Sequence, residues 1–333
     1  MNNASQLIKQ FLVPFLASRH VSALATRLFG YGIPVFMLHR LAPDGSSAHG
    51  HTPTYLRQCL QFLQDRGHTF VSLEDIISAL DNGAPLPEKP VAFTMDDGFN
   101  DQATLAAPVF IEYECPVTIF LISGLLDGDL WPWDDKVAFL INNTDAEAVE
   151  ISISGENQTL RLDNALNRSD AIRHIQNRMK MIDGKNIPDA LRLLSDTVQV
   201  SIPETPPASY QPMTWDMARD LEKKGVCFAP HTVSHRILSK LSTEDAETEI
   251  DNSWQRLRDE LSSPAPIFCY PTGRVADFGE REIDLLKNRG FIGAVSTVPS
   301  HINMKEGSGN YRYSLPRFGL PDTFCDFMQY STW

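Results

Sequence analysis

Phe93-Thr94-Met95-Asp96-Asp97-Gly98 ends an apolar run that begins at Pro90 and stops on two adjacent carboxylates and a glycine. A short apolar run of this kind reads as a buried strand, so the two acids stand where a strand leaves the core. Like charges side by side repel, and one of them tends to be held ionised by a metal or an arginine while the other titrates differently. The same residues also suit an ordinary strand-to-helix corner, with Asp96 capping a helix that starts near Phe99 and Asp97 in the turn. The flanking sequence decides between a site and a corner.

Upstream, Ile33-Pro34-Val35-Phe36-Met37-Leu38 reads as a strand that ends at His39-Arg40. Thr52 to Arg66 has helical spacing at Tyr55, Cys59, Leu60, Phe62 and Leu63, with Thr52 as cap and Gly67 as stop. A brief strand at His68–Ser72 and a helix at Leu73–Leu80 lead back to Pro90. Downstream, Asp101–Glu112 reads as a helix and Pro116–Ile122 as a β-branched strand. The alternation then breaks between Trp131 and Pro212. That stretch holds a hairpin over Val149–Leu162 around Gly155-Glu156-Asn157, helical segments near Ala171–Met181 and Asp189–Thr197, and a linker with Pro203, Pro206, Pro207 and Pro212.

The period resumes with a helix at Trp215–Lys224 capped by Thr214 and a strand at Val226–Ala229 that ends on Pro230-His231. Further helices are expected at Thr243–Leu261 and Glu280–Arg289, and strands at Pro266–Tyr270, Phe291–Val295 and Tyr313–Phe318. Repeated strand–helix alternation argues a parallel sheet, open or closed into a barrel, with the site beyond the carboxyl ends of the strands. The expected domains are a helical segment at 1–30, a barrel from 31–130 with 207–333, and an inserted α/β subdomain at 131–206.

His39, Asp96 with Asp97, His231 and the Tyr270-Pro271-Thr272 turn all fall at strand ends. His231-Thr232-Val233-Ser234-His235 carries imidazoles four apart, which share one face if the segment is a helical turn and can then reach one metal ion. One carboxylate with two imidazoles makes three ligands and leaves a position for water, the pattern of a catalytic site. The remaining carboxylate can serve as general base, and the chemistry is hydrolysis of an amide or ester.

Phe93-Thr94-Met95-Asp96-Asp97-Gly98, His231-Thr232-Val233-Ser234-His235 and Phe268-Cys269-Tyr270-Pro271-Thr272-Gly273 resemble, in order and spacing, the first three motifs of the polysaccharide deacetylase family, the NodB-homology or carbohydrate esterase family 4 proteins. The resemblance runs from about Val35 to Phe318 apart from the insertion, and members carrying Leu38-His39-Arg40 and a terminal Leu315-Pro316-Arg317 look particularly similar. It implies a distorted (β/α) barrel and metal-dependent removal of acetyl groups from N-acetylated sugars. Carried over, Asp96 is the catalytic base, and Asp97, His231 and His235 are the metal ligands, most simply of zinc. The Thr272 N–H is the oxyanion donor, and Tyr270 and Pro271 shape the groove. Many members orient the base with an arginine early in the third motif; here Phe268 and Cys269 stand there. Arg317 either replaces it or forms a plain surface ion pair. For the general acid, His39 is preferred over His301, with a histidine bonded to backbone at a strand end as the competing reading. Trp131 and Trp133 either stack on sugar rings or pack, and Cys227 and Cys269 are expected to fill the core.

The net charge of −13 and the lack of any basic run argue against nucleic-acid binding. Five scattered cysteines without C-x-x-C spacing suggest neither a disulfide framework nor a zinc knuckle, and point to a reducing compartment. Leu7–Leu28 is moderately apolar, but its longest run, Phe11–Ala17, is interrupted by Pro14 and flanked by Lys9, Arg19 and Arg27. It reads as a surface helix, packed on the domain or in peripheral contact with a membrane, and not as a signal peptide or a span. The expectation is therefore a cytoplasmic enzyme, acting at the inner membrane face on a lipid-linked or nucleotide-linked polysaccharide precursor. An O-acetyl esterase and a non-catalytic carbohydrate-binding protein are the rival readings.

Overall fold

β-Branched and aromatic runs bounded by proline and glycine supply the strands, and amphipathic segments between them supply the helices that cover the strands. The computed structural model describes residues 32–46, 50–153, 156–182, 186–306 and 309–332; the helix expected over Leu7–Leu28 and the tip of the expected hairpin at Gly155 lie outside them. The chain divides into two compact units, one comprising residues up to Leu126 with those from Pro212 onward, the other Asp127–Gln211.

In the first unit, β1 (Val35–Leu38) leads through α1 (Pro53–Asp65) to β2 (Thr69–Phe70), then through α2 (Leu73–Asn82) to β3 (Pro90–Asp97). Thr52 and Ser72 accept the Tyr55 and Asp75 amides at the starts of α1 and α2, satisfying donors that a helix terminus leaves unpaired. The segment expected as one helix over Asp101–Glu112 is a π-helical turn, Gln102–Ala106, followed by α3 (Ala107–Glu112). Pro108 lacks the N–H that an α-helix would donate to Thr104, and a widened turn accommodates the missing bond. β4 (Val117–Leu121) and α4 (Ser123–Leu126) complete this half.

The second unit contains α5 (Trp133–Asn143), the antiparallel pair β5 (Ala148–Ile153) and β6 (Glu156–Arg161), α6 (Ala165–Met179) and α7 (Ile187–Val198). Its core is apolar, built from Val137, Leu140, Ile141, Val149, Leu162, Ile175 and Leu194 among others. Trp131 is buried against Phe139 and Tyr210, with ring centroids 5.4 and 5.6 Å away, so it packs within this unit instead of presenting a face to sugar.

The first unit resumes with α8 (Trp215–Glu222), β7 (Cys227–Pro230), α9 (Thr243–Glu260), β8 (Ile267–Cys269), α10 (Glu280–Asn288), β9 (Gly293–Val295), β10 (Phe318–Gly319) and α11 (Phe324–Thr332). The main sheet runs β10-β1-β3-β4-β7 with every neighbouring pair parallel, and β8 with β9 forms a further parallel pair. The Ala265 amide donates to the Phe228 carbonyl at 2.8 Å, joining β7 to the approach of β8. On the other side, Leu315 bridges Val295 and Phe318 pairs with Phe36, so the segment 315–319 lies between β9 and β1 and closes a distorted barrel. The strand expected over Tyr313–Phe318 is therefore shorter and later, preceded by a 3-10 turn at Asn310–Tyr313.

Strand period sorts the side chains. Phe93 and Met95 of β3 pack outward with Leu56, Leu60 and Phe110 of the helices. Ala92 packs on the opposite face with Val35, Phe120, Ala229, Cys269 and Val295. Thr94 and Asp96 share that inner face.

Candidate active site

Asp96 follows Ala92 and Thr94 into the barrel and is 2% exposed. An ionised carboxylate buried so deeply needs a partner. Arg317 supplies it from the closing segment: Nη1 and Nη2 donate to Oδ1 and Oδ2, each at 2.7 Å, and the side chain is wholly buried. The same guanidinium donates to Thr94 Oγ1 at 2.9 Å and to the Ser296 carbonyl at 2.9 Å, so its orientation is fixed from several sides. Burial by itself would raise the Asp96 carboxyl; the Arg317 charge overrides it and holds the group well below the usual carboxylate range. Arg317 is thus a buried bidentate partner of Asp96, and the surface ion pair is not what forms.

Strand alternation would send Asp97 outward to the helices. Its backbone has φ 88, in the left-handed region that costs a non-glycine residue strain, and this turn carries the carboxylate to the mouth of the barrel. There Oδ1 lies 3.6 Å from His231 Nε2 and 3.8 Å from His235 Nε2. The histidines are not on a helical turn as their spacing suggested. They belong to a loop in which Thr232 (φ 68) and His235 (φ 57) are left-handed, and their ring centroids come within 4.9 Å. The Thr232 hydroxyl accepts the His235 amide at 3.0 Å, a local bond that competes with helix formation.

His231 Nδ1 lies 2.7 Å from the Cys269 carbonyl. A carbonyl only accepts, so Nδ1 carries the proton and Nε2 keeps its lone pair toward Asp97. Burial, with His235 adding to it, holds this imidazole down to about 3, so it is neutral at physiological pH, the form a metal needs.

Two groups of side chains in the described residues could hold a cation: Asp97, His231 and His235, or Asp96, His231 and Cys269. His231 offers one free nitrogen and can serve only one of them. The Arg317 guanidinium, 2.7 Å from Asp96 Oδ2 and 3.2 Å from Cys269 Sγ, already places positive charge on the second group. Burial also pushes the Cys269 thiol well above its ordinary value, so it stays protonated. The first group fits a divalent cation. Nitrogen and oxygen ligands about 2.0–2.1 Å from a tetrahedral ion stand about 3.4 Å apart, close to the separations of 3.6 and 3.8 Å found here.

His39, 47% exposed, leaves β1 with Nε2 3.8 Å from Asp96 Oδ2. His301 is elsewhere: Nε2 meets the Tyr330 carbonyl at 2.8 Å and the ring packs on Phe318, which ties the chain to α11. In the third motif, Gly273 donates to the Pro271 carbonyl at 2.7 Å and closes a tight turn around Thr272 (φ 57). The Thr272 hydroxyl donates to Asp277, and its carbonyl accepts from Thr297 Oγ1 at 2.7 Å. Pro271 is buried in this turn. Tyr270, expected to shape the groove, turns inward instead: it is 1% exposed, stacks on Phe278 at 4.1 Å and donates its hydroxyl to the Tyr313 carbonyl at 3.0 Å. A large ring with a satisfied hydroxyl is more stable buried there than in a wet groove.

Three residues passed over in the sequence also belong to the site. Cys269, expected only to fill core, touches Asp96 Oδ2 at 3.5 Å and Arg317. Gln102, wholly buried on the π-helical turn, donates to the His39 carbonyl at 2.7 Å and to the Asp96 carbonyl, and accepts the Gly98 amide at 3.2 Å. It thereby pins the ends of β1 and β3 together. Glu249 of α9 accepts the amides of Val233 and Ser234, each at 2.9 Å.

A family model described as polysaccharide deacetylase matches residues 83–290. An 84-residue stretch, 25% of this chain, is 32% identical to the poly-beta-1,6-N-acetyl-D-glucosamine N-deacetylase of Escherichia coli K12, and covers 12% of that protein's length. Among solved structures, the Streptococcus pyogenes deacetylase PplD is similar over 91% of this chain and 99% of its own, with 19% identity and a TM-score of 0.58. IcaB from Ammonifex degensii is similar over 91% and 98%, with 15% identity and the same TM-score of 0.58. At such identities the structural likeness is one of fold. The extent of the family match, together with the fold, identifies this chain as a member of the polysaccharide deacetylase family.

Proposed function

We propose that the protein is a metal-dependent N-deacetylase that hydrolyses the acetamide of N-acetylated sugars in a polysaccharide or its precursor. The observation that carries this reading is the division of the two adjacent acids. Asp97 faces two imidazoles at 3.6 and 3.8 Å, while Asp96 is turned inward with both of its oxygens taken by Arg317. The E. coli relative, by its name an N-deacetylase of poly-N-acetylglucosamine, supports N-acetylglucosamine as the sugar.

Asp97, His231 and His235 would hold the ion, most simply zinc. When bound, it supplies Lewis-acid polarisation and lowers the pKa of water from 15.7 toward about 7. Asp96, kept ionised by Arg317, takes the proton of the attacking water. The Thr272 amide, presented by its tight turn, is the donor toward the carbonyl oxygen as negative charge develops. His39, half-exposed at the mouth, donates a proton to the departing sugar nitrogen, so that the C–N bond breaks to give acetate and a free amine. An amide needs this protonation because its amine is a poor leaving group; an O-acetyl ester needs it less.

Acetate release from N-acetylglucosamine oligomers and from O-acetylated sugars, by zinc-loaded and chelated protein, tests the reading. Release from the N-acetyl substrate only, abolished by chelation, is expected. Release from the O-acetyl sugar only would make the protein an esterase, and no release with no metal retained would favour a carbohydrate-binding role. His39→Ala should lower turnover and remove the alkaline limb of the pH–rate profile while leaving metal content alone; an unaltered profile rules out His39 as the acid. We further propose that the enzyme works in the cytoplasm at the membrane face on a lipid-linked or nucleotide-linked precursor, which finding the mature protein outside the cytoplasm would contradict.

A further inference from the structure

In the loop that carries both histidines, the amides of His231, Val233, Ser234 and His235 and the carbonyls of Thr232 and Val233 are hydrogen-bonded, and the partners outside the loop come from β4 with α4 and from α9. From one side, β4 and α4 grip it: His231 donates to the Leu121 carbonyl at 2.9 Å, and the Ser123 and Gly124 amides donate to the Thr232 and Val233 carbonyls at 3.1 and 3.0 Å. From the other side, Glu249 of α9 takes the loop's own donors. Its Oε2 accepts the Val233 and Ser234 amides at 2.9 Å each, and its Oε1 accepts the Ser234 hydroxyl. Glu249 is 7% exposed, so these bonds stand in for water at its carboxylate.

The loop between these two jaws is strained, with Thr232 at φ 68 and His235 at φ 57. Left-handed conformations at residues with a Cβ cost about 1–3 kcal/mol each and persist where surrounding contacts over-determine them. A charge-assisted carboxylate accepting three donors is well suited to hold the strain. The opposite jaw has no slack either: a Cβ on Gly124 would stand 2.7 Å from the Val233 carbonyl oxygen.

We propose that Glu249 is a positioning residue for the cation ligands: acting through Val233 and Ser234, it holds the loop against Gly124 in the one conformation that aims both His231 and His235 at Asp97. It touches neither the ion nor the substrate. This inference rests on the reading that Asp97, His231 and His235 hold a divalent cation.

The test measures divalent-cation affinity by calorimetry with zinc, and ligand geometry by the visible absorption of bound cobalt, on the full chain. In Glu249→Ala, zinc binding should weaken about 10–100-fold, the range seen when groups supporting a ligand are removed. The tetrahedral cobalt bands should weaken or shift, with circular dichroism unchanged. Glu249→Gln keeps an oxygen for the two amides and should recover most of the affinity. Gly124→Ala, pressing from the other jaw, should move affinity and cobalt spectrum in the same direction as Glu249→Ala. If Glu249→Ala fails to fold, the comparison rests on Glu249→Gln, with near-normal affinity, against Gly124→Ala, with lost affinity. Wild-type affinity and cobalt spectrum in folded Glu249→Ala, or in Gly124→Ala, would overturn the proposal. A wild-type protein that binds neither zinc nor cobalt would instead overturn the metal-site reading beneath it.

Discussion

The two units of the chain bury different things. The core of the insertion, residues 127–211, is aliphatic, and its buried Thr144 hydroxyl donates to the Val198 carbonyl at 2.9 Å. The barrel unit buries Asp96, His231, Glu249, Asp277, Glu282, Gln102 and Arg317. Taking a charge out of water is costly unless paired and hydrogen-bonded, and the key barrel groups are each met: Asp96 by Arg317, Glu249 by two amides and a hydroxyl, His231 by a carbonyl. The insertion is organised for burial alone, whereas the barrel accepts desolvation in exchange for a fixed set of polar groups. Perturbing the first should change stability only, and perturbing the second should change chemistry as well.

The largest break in that comparison comes from Asp96→Asn. Shape and burial are nearly preserved, but the group can no longer take a proton, so turnover should fall about 10²–10⁴-fold while zinc affinity stays within a few-fold. Near-normal turnover in this variant would remove Asp96 as the base. Arg317→Ala comes next. It leaves the Asp96 charge buried without its partner, a change that costs about 3–5 kcal/mol. Urea denaturation should show that loss, and Asp96→Asn in the same background should recover part of it because the neutral amide no longer needs the guanidinium. Additive losses in the double variant would show that the pair is not coupled.

The fold class is legible because alternating apolar strands and amphipathic helices leave a periodic trace, and the strand-end rule gathers Asp96, Asp97 and His231 from the sequence alone. The division of labour between the acids is less so. It depends on φ 88 at Asp97 and on an arginine 221 residues away, neither of which has a local signature. The spacing His231-x-x-x-His235 suggested a helix, because helical pairing is the common way to bring residues four apart together. The loop does it instead with left-handed turns braced by α4 and α9. Glu249 was hidden for a related reason: on an amphipathic helix rich in Glu and Asp, one acid that turns inward looks like those facing solvent. Tyr270 misled because motif resemblance locates the backbone of the turn and says nothing about which way the ring rotates.

The insertion supplies the control. Ile175→Ala removes buried aliphatic volume from its core and should cost about 2–5 kcal/mol, read as faster amide exchange across α6 and α7, with zinc affinity and turnover unchanged. A parallel loss of turnover would mean that the insertion contributes to the site and that the contrast drawn above is too sharp.

The smallest effect is a pH dependence. His231 in the folded, metal-free protein is held down to about 3 from an ordinary 6.5. Below 6.5 the unfolded chain takes up a proton that the folded chain refuses, so the unfolded state binds more protons and stability falls as pH drops, until the folded imidazole titrates too. The slope for one such group is about 1.4 kcal/mol per pH unit. Asp96 does not contribute in this window: its carboxyl is also depressed, but from 3.8, so its stabilisation is complete above that value and is lost only as pH falls further. Between pH 6 and 4.5 His68 and His301, whose imidazoles burial also holds down, add to the slope, so the contribution of His231 is the difference in urea midpoints between wild type and a His231 variant. His231→Asn, which keeps a donor near the Cys269 carbonyl without a titrating ring, should flatten the slope by about 1.4 kcal/mol per unit. An unchanged slope would mean that His231 is solvated enough to protonate in place, and that its neutral, ligand-ready state is not enforced by burial.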